Sequence, residues 1–117
     1  MTYASTYGNG NYAGVTGSTA DATALTALGT PGLVDTVMAT GTKSGYNFKG
    51  GRAASTTTTP ATFFFTANPT TTSGVTQTGS RRFGIATDGV LMADATAANL
   101  ATLFTDVTLA SATPLSN

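Results

Sequence analysis

Cysteine, histidine, glutamate and tryptophan are all absent from this sequence of 117 residues. Without cysteine there is neither a disulfide nor a thiol nucleophile, and without histidine the commonest general base and a common metal ligand are missing. We therefore expect a protein that is not an enzyme and that binds no metal and no cofactor. A hydrolase that uses serine or aspartate alone is the enzymatic alternative, and loss of activity on substitution of one aspartate would reveal it.

Charged side chains are scarce, at 9% of the residues, whereas typical soluble domains contain roughly 25%. Five basic residues balance five aspartates, so the net charge is zero. Nucleic acids and anionic membrane surfaces are bound through basic patches, and we expect neither as a partner. The longest run of large apolar side chains is Phe63–Phe65, and a membrane-spanning helix needs roughly 18 apolar residues. We therefore expect no direct membrane insertion by this chain.

Small residues dominate the composition, with 27 threonines, 19 alanines and 14 glycines. Threonine favours β structure, and a neutral surface suits close packing against neighbouring subunits. A chain of this length with 40% hydrophobic residues builds one core. We divide this single domain, residues 1–117, into a lead-in (1–20), short helices (21–41), an antiparallel sheet (44–93) and a C-terminal extension (94–117).

Two short helices are predicted after the lead-in. The first spans Asp21–Gly29, with Asp21 as its cap, Gly29 at C′, and Leu25 and Leu28 on one face. The second begins with Thr30 as its N-cap and Pro31 at N1, and it ends before Gly41. Its apolar stripe consists of Leu33, Val34, Val37 and Met38. The lead-in itself has no helical or strand period, and its tyrosines are candidate contacts that cover another surface: Tyr3, Tyr7 and Tyr12.

The pattern then changes to a period of two, in which large apolar side chains recur at every second position, and this predicts strands at 44–50, 61–67 and 82–87. Asp88-Gly89 favours a two-residue type I′ turn, so Val90–Ala93 is expected to return as a fourth antiparallel strand. The bulky face of this sheet consists of Tyr46, Phe48, Phe63, Phe65, Phe83 and Ile85. The fold class predicted is α+β, with an antiparallel sheet of about four strands and short N-terminal helices on one face.

The C-terminal extension divides into three predicted segments. Ala95–Phe104 fits a helix with Leu100, Leu103 and Phe104 directed inward and Asn99 outward, Val107–Leu109 fits an extended segment, and Ala110–Asn117 fits a loose tail. The adjacent Arg81 and Arg82 stand where a strand begins. Charged residues there mark a solvated strand edge, with an anion site as the alternative.

The order of these segments resembles the C-terminal globular region of bacterial type IV pilins and pseudopilins. The likeness runs through a glycine- and tyrosine-rich lead-in, LVDTVMATGTKSGYNFKG (33–50), TANPTTTSGVTQTGSRRFGIATDGVL (66–91) and the terminal ATPLSN. Its more specific parts are Gly-Thr-Lys-Ser-Gly-Tyr-x-Phe at 41–48, Ala-x-Pro at 67–69, and a Gly-x-Arg-x-Phe pattern near residue 80. That last pattern has one extra residue here, so its arginine is either Arg81 or Arg82.

This resemblance implies a structural subunit of a type IV pilus-like filament, extracellular or at the bacterial cell surface and reached through the periplasm. Pilins of this kind carry an N-terminal hydrophobic helix, and the sequence begins where that helix would end. Two interpretations follow from this resemblance: a split pilin, whose helix is a separate chain, or a truncated pilin.

The implied partners are that helix, as a separate chain or a segment, and neighbouring pilin subunits. The bulky sheet face needs a cover, so it is the expected surface for helix packing; full cover by the chain's own N-terminal segment and tail is the alternative. The alternative function is a secreted surface adhesin or polysaccharide-binding module, for which exposed, coplanar tyrosines would be the sign.

Overall fold

A five-stranded antiparallel sheet, in the order β1-β2-β3-β4-β5, organises the chain. The structure, a computed structural model, describes residues 2–17 and 20–115, so positions 1, 18 and 19 of the predicted lead-in and 116–117 of the predicted tail lie outside it. The strands are β1 (Thr42–Lys43), β2 (Tyr46–Ala53), β3 (Thr62–Pro69), β4 (Arg82–Ala86) and β5 (Leu91–Asp94). The helices are α1 (Thr2–Thr6), α2 (Thr23–Gly29), α3 (Thr36–Ala39), a 3-10 turn (Ala97–Asn99) and α4 (Asp106–Ala110).

The α+β class is confirmed, but the sheet has one strand more than the four predicted. The additional strand, β1, pairs with the start of β2 across Ser44 and Gly45. Both of these residues have positive φ, 55° and 81°, which is the backbone requirement of a two-residue type I′ hairpin turn. The first predicted strand therefore starts at Tyr46 rather than Ser44, and it continues to Ala53.

The predicted type I′ turn at Asp88-Gly89 is wrong. Gly89 has a φ of 76°, and Asp88 does not have a positive φ. Instead, the Gly89 amide donates to the Ala86 carbonyl at 2.9 Å, closing a four-residue turn. The connection is therefore longer than predicted, and Ile85 pairs with Leu91.

Helix α2 lies close to its predicted position, but its ends differ. It begins at Thr23, whose amide donates to the Asp21 carboxylate at 2.8 Å. It ends at Gly29 and is followed by Thr30 in the right-handed helical region, so Thr30 caps the end of α2 rather than starting the next helix.

The second predicted helix is much shorter than expected. Asp35 is its N-cap, accepting a hydrogen bond from the Met38 amide at 2.6 Å, and only Thr36–Ala39 are helical. The predicted apolar stripe is not a buried face, since Leu33 and Val37 are 36% and 54% exposed. The lead-in also differs from the prediction, because α1 occupies Thr2–Thr6.

The C-terminal extension corrects three predictions. The 3-10 turn replaces the predicted Ala95–Phe104 helix, although Leu100 and Phe104 are buried as expected. Residues 107–109 are helical rather than extended, because Thr105 and Thr108 form a reciprocal capping box at the start of α4. The tail is not loose at 113–115: the Ala93 amide donates to Thr113, and the Leu115 amide donates to Leu91.

The largest fully buried side chain, Phe104, belongs to an apolar cluster on the side of the sheet that the C-terminal extension covers. Phe64 of β3 packs in one cluster with two residues of the C-terminal extension, Phe104 and Leu109. Gly84 of β4 allows this approach, since a Cβ there would stand 2.5 Å from Leu109. The side chains that alternate with this set point to the opposite side of the sheet, which the chain covers only in part.

Candidate functional site

One face of the sheet gathers all six bulky side chains that the alternation predicted. The register pairs Phe65 with Ile85 and Ala67 with Phe83, and it pairs Phe48 with Ala67 and Arg52 with Phe63. Each of the six side chains is half-buried: Tyr46, Phe48, Phe63, Phe65, Phe83 and Ile85. We call this surface the aromatic face.

The centre of the aromatic face is an open apolar depression of about 340 Å³. Phe65, Phe83 and Ile85 line it, together with Tyr46, Phe48, Ala67 and Leu91. The side chains come from four strands, β2 to β5, so the depression crosses most of the sheet. None of its lining residues is charged.

Leu91 is a lining residue that sequence reasoning missed. A two-residue turn at Asp88-Gly89 would pair Ile85 with Met92, which would place Met92 on the aromatic face. The longer turn pairs Ile85 with Leu91 instead. Because strand side chains alternate, this shift of one residue exchanges the two faces of β5. Leu91 is therefore 40% exposed beside the depression, and Met92 packs against the core.

Among the described residues, the N-terminal half of the chain contacts the aromatic face over β2 and β3. Tyr12 packs edge-on against Phe63, with ring centroids 4.8 Å apart. Helix α2 approaches at Gly50, where an added Cβ would stand 2.8 Å from the Cβ of Ala24 and 2.5 Å from the Phe65 ring. The C-terminal extension lies against the other face, so the depression beyond these contacts is open.

The tyrosines do not form a flat platform. Tyr3 and Tyr7 have ring centroids 6.0 Å apart and planes inclined at 38°, and Tyr7 is 55% exposed. Tyr12 is engaged with Phe63, and the Tyr46 hydroxyl donates to the Arg81 carbonyl. The coplanar, exposed set that a polysaccharide-binding surface calls for is not formed by these four residues.

Arg81 and Arg82 occupy different environments. Arg81 is exposed, with its guanidinium carbon 5.2 Å from the centroid of Phe83. Arg82 points to the core side and is only 8% exposed. The predicted solvated edge therefore describes Arg81 and is wrong for Arg82.

Arg82 is held by a closed polar network. Its guanidinium lies 2.9 Å from the Asp94 carboxylate and donates to the Thr102 carbonyl at 2.9 Å. The same group stands 3.9 Å over the Phe104 ring. The pKa of Asp94 is far below its ordinary value, first because Thr96 donates hydrogen bonds to it and then because Asn99 and Arg82 do. With its donors directed inward, Arg82 fixes the C-terminal extension to β4 and β5.

Comparison with known protein families, with curated proteins and with solved structures finds no match for this chain. Within the part of the chain that the structure describes, no helix has the length and apolar character needed to cross a membrane.

Proposed function

We propose that this protein is a structural subunit of a type IV pilus-like filament, either a pilus or a periplasm-spanning pseudopilus. In this proposal it assembles without covalent bonds, through an apolar helix that packs on the aromatic face and through contacts with neighbouring subunits. The observation that supports the proposal is an open apolar depression across four strands, on a sheet whose other face is already covered.

The two faces of the sheet differ in how they are covered. A sheet with two apolar faces needs a layer on each side, and the described residues leave the depression on the aromatic face open. Contiguous apolar surface of this kind marks an interaction site in a protein. A helix, about 10 Å across with its side chains, is a standard layer for such a face.

The partner is therefore a pilin N-terminal helix, as a separate chain or as a segment, and further subunits of the filament. Threonine-rich loops at 54–61 and 70–80 provide neutral surface for those neighbours. The place proposed for the assembled protein is an extracellular or cell-surface filament, reached through the periplasm. No chemical step is involved, because the function is association.

The experiment that tests this proposal examines filaments directly. Filaments are sheared from the source cells, purified by size and analysed by mass spectrometry. We expect this chain together with an apolar helical polypeptide in near-equal amount, or this chain covalently continuous with such a helix. Absence of the chain from the filaments, with the free chain recovered by itself, would contradict the proposal.

A further inference from the structure

Arg81 stands at the rim of the apolar depression and is held there by two of its lining residues. Its main-chain carbonyl accepts a hydrogen bond from the Tyr46 hydroxyl at 2.9 Å. Its guanidinium carbon lies 5.2 Å from the centroid of the Phe83 ring. The rings of Tyr46 and Phe83 are themselves 5.9 Å apart. The cation is thus positioned beside the apolar surface.

No aspartate of the chain pairs with this cation. All ten charged side chains belong to the described residues, and they form two ion pairs, Lys43–Asp35 and Arg82–Asp94. The other three carboxylates accept hydrogen bonds from nearby main-chain amides: Asp21, Asp88 and Asp106.

The other two cations that lack a carboxylate are placed differently. Arg52 donates to the Tyr12 carbonyl at 3.1 Å, beyond the edge of the depression. Lys49 alternates with Phe48 and Gly50, so it points to the opposite face of the sheet. Arg81 is therefore the cation that a molecule covering the depression would meet.

We infer that the helix that occupies the aromatic face carries an aspartate or glutamate whose carboxylate pairs with Arg81. This inference rests on the proposed function and adds the chemistry of the partner. A helix that covers Phe83 removes water from the adjacent guanidinium, and a charge that loses water requires an opposite charge. A carboxylate matches the planar guanidinium with two parallel hydrogen bonds.

The proposed pair between Arg81 and the carboxylate also fixes the register and direction of the helix on the aromatic face. Arg81 directly precedes β4, so it marks one end of the depression along the strands. Apolar contacts are non-directional, so they discriminate less between alternative positions of the helix than a charge pair does. A single charge pair at one end selects one register and one direction, because other placements leave the guanidinium without a partner.

The test uses model helices, and the absence of tryptophan from the protein makes it direct. Amphipathic peptides of about five turns carry one tryptophan in the apolar stripe and one variable residue, Glu, Gln or Lys, at either end of that stripe. All tryptophan fluorescence then comes from the peptide, and its blue shift reports docking. One of the two Glu peptides will place its glutamate beside Arg81. We expect this peptide to bind about tenfold more tightly than the peptide with Gln at the same position, a difference of about 1.4 kcal/mol.

Variants of the protein identify the cation responsible. Arg81→Gln is expected to remove the preference for Glu, and Arg81→Glu is expected to transfer the preference to the Lys peptide. Lys49→Gln is the matched control, because it removes the same charge from the opposite face and should retain the preference. Circular dichroism confirms that each variant is folded.

The outcomes separate this inference from the proposed function. Equal binding of the Glu and Gln peptides would overturn the inference and leave helix docking intact. The absence of a blue shift with every peptide would overturn both. Light scattering shows whether the chain forms a dimer, and whether Arg81→Glu dissociates it. Such a dimer would mean that a second copy of the chain covers the aromatic face, and this would also overturn the inference.

Discussion

Adjacent residues with the same side chain, Arg81 and Arg82, have opposite roles because strand side chains alternate. Arg82 points into the core side, where Asp94 neutralises it and Phe104 stacks beneath it. Arg81 remains at the rim of the aromatic face. The sequence places a charged pair at the start of a strand, but it does not reveal which arginine is buried. That depends on the pairing of β4 with β5, which brings Asp94 opposite Arg82.

Substitution of Asp94 by asparagine tests the Arg82 network through its pH dependence. The folded-state pKa of Asp94 is lowered, so its stabilising contribution is present above the ordinary aspartate pKa, about 3.9. This contribution is lost as the pH falls below the ordinary aspartate pKa and toward the lowered folded-state pKa of Asp94. We expect Asp94→Asn to have a lower Tm at pH 7 and to lose less Tm than the unmodified protein between pH 5 and pH 2.

The control for this experiment is Asp88→Asn, which removes the same charge at an exposed turn. Its Tm at pH 7 should lie within a few degrees of that of the unmodified protein. A curve of Tm against pH for Asp94→Asn that runs parallel to that of the unmodified protein would contradict the role given to this carboxylate.

Gly50 provides a second test at the residue scale, because its missing side chain allows α2 to approach the sheet. A Cβ at this position would stand 2.8 Å from Ala24 and 2.5 Å from the Phe65 ring. Overpacking of this kind costs about 1–3 kcal/mol, so Gly50→Ala should lower the free energy of unfolding by that amount in a denaturant titration. The double variant with Ala24→Gly should show coupling between the two sites. A change below about 0.5 kcal/mol for Gly50→Ala would contradict the packing.

Among the elements, the strands with clear alternation could be predicted and the C-terminal extension could not. Tyr46 and Phe48 are separated by a polar residue, and Phe83 and Ile85 by glycine, so period two is visible in the sequence. Helix α4 has five residues, including valine and threonine, and is too short to show a helical period. The pairing of Thr113 and Leu115 with β5 is a contact between distant residues that no local pattern announces.

Two residues of α4 test whether this extension completes the core. Leu109 is 2% exposed, and Val107 in the same helix is 71% exposed. Leu109→Ala should lower the free energy of unfolding by about 2–5 kcal/mol, whereas Val107→Ala should change it by less than about 0.5 kcal/mol. The measurement is chemical denaturation of both variants. Equal effects of the two substitutions would show that α4 does not cover the sheet.

At the scale of the whole molecule, the C-terminal extension covers one face of the sheet, and the described chain covers the aromatic face only in part. The six members of the aromatic face could be predicted, because period two assigns them to one side. The identity of the covered side could not, since Phe63, Phe64 and Phe65 place aromatic rings on both faces. The choice is made by Phe104 and Leu109, which pack on the side of Phe64.

A single charge added to the aromatic face should prevent assembly without unfolding the subunit. Leu91 lines the depression and is 40% exposed, so Leu91→Lys should leave the Tm of the isolated chain within a few degrees of its original value. In cells, we expect the variant to be at least tenfold depleted from sheared filaments, because lysine placed against an apolar helix loses its water without gaining a partner.

The matched control is Val107→Lys, which adds the same charge at an exposed position away from the depression. It should enter filaments in the original amount. Incorporation of Leu91→Lys at the level of this control would contradict helix packing on the aromatic face.

The most direct test of the central claim is hydroxyl-radical footprinting of Phe83 in filaments and in the isolated chain. Trypsin cleavage after Arg82 releases one peptide with both Phe83 and Phe104, because no lysine or arginine follows. Phe104 is 2% exposed and serves as the internal reference. We predict that oxidation of Phe83 relative to Phe104 falls severalfold on assembly, because a helix covers the aromatic face. An unchanged ratio would contradict the account.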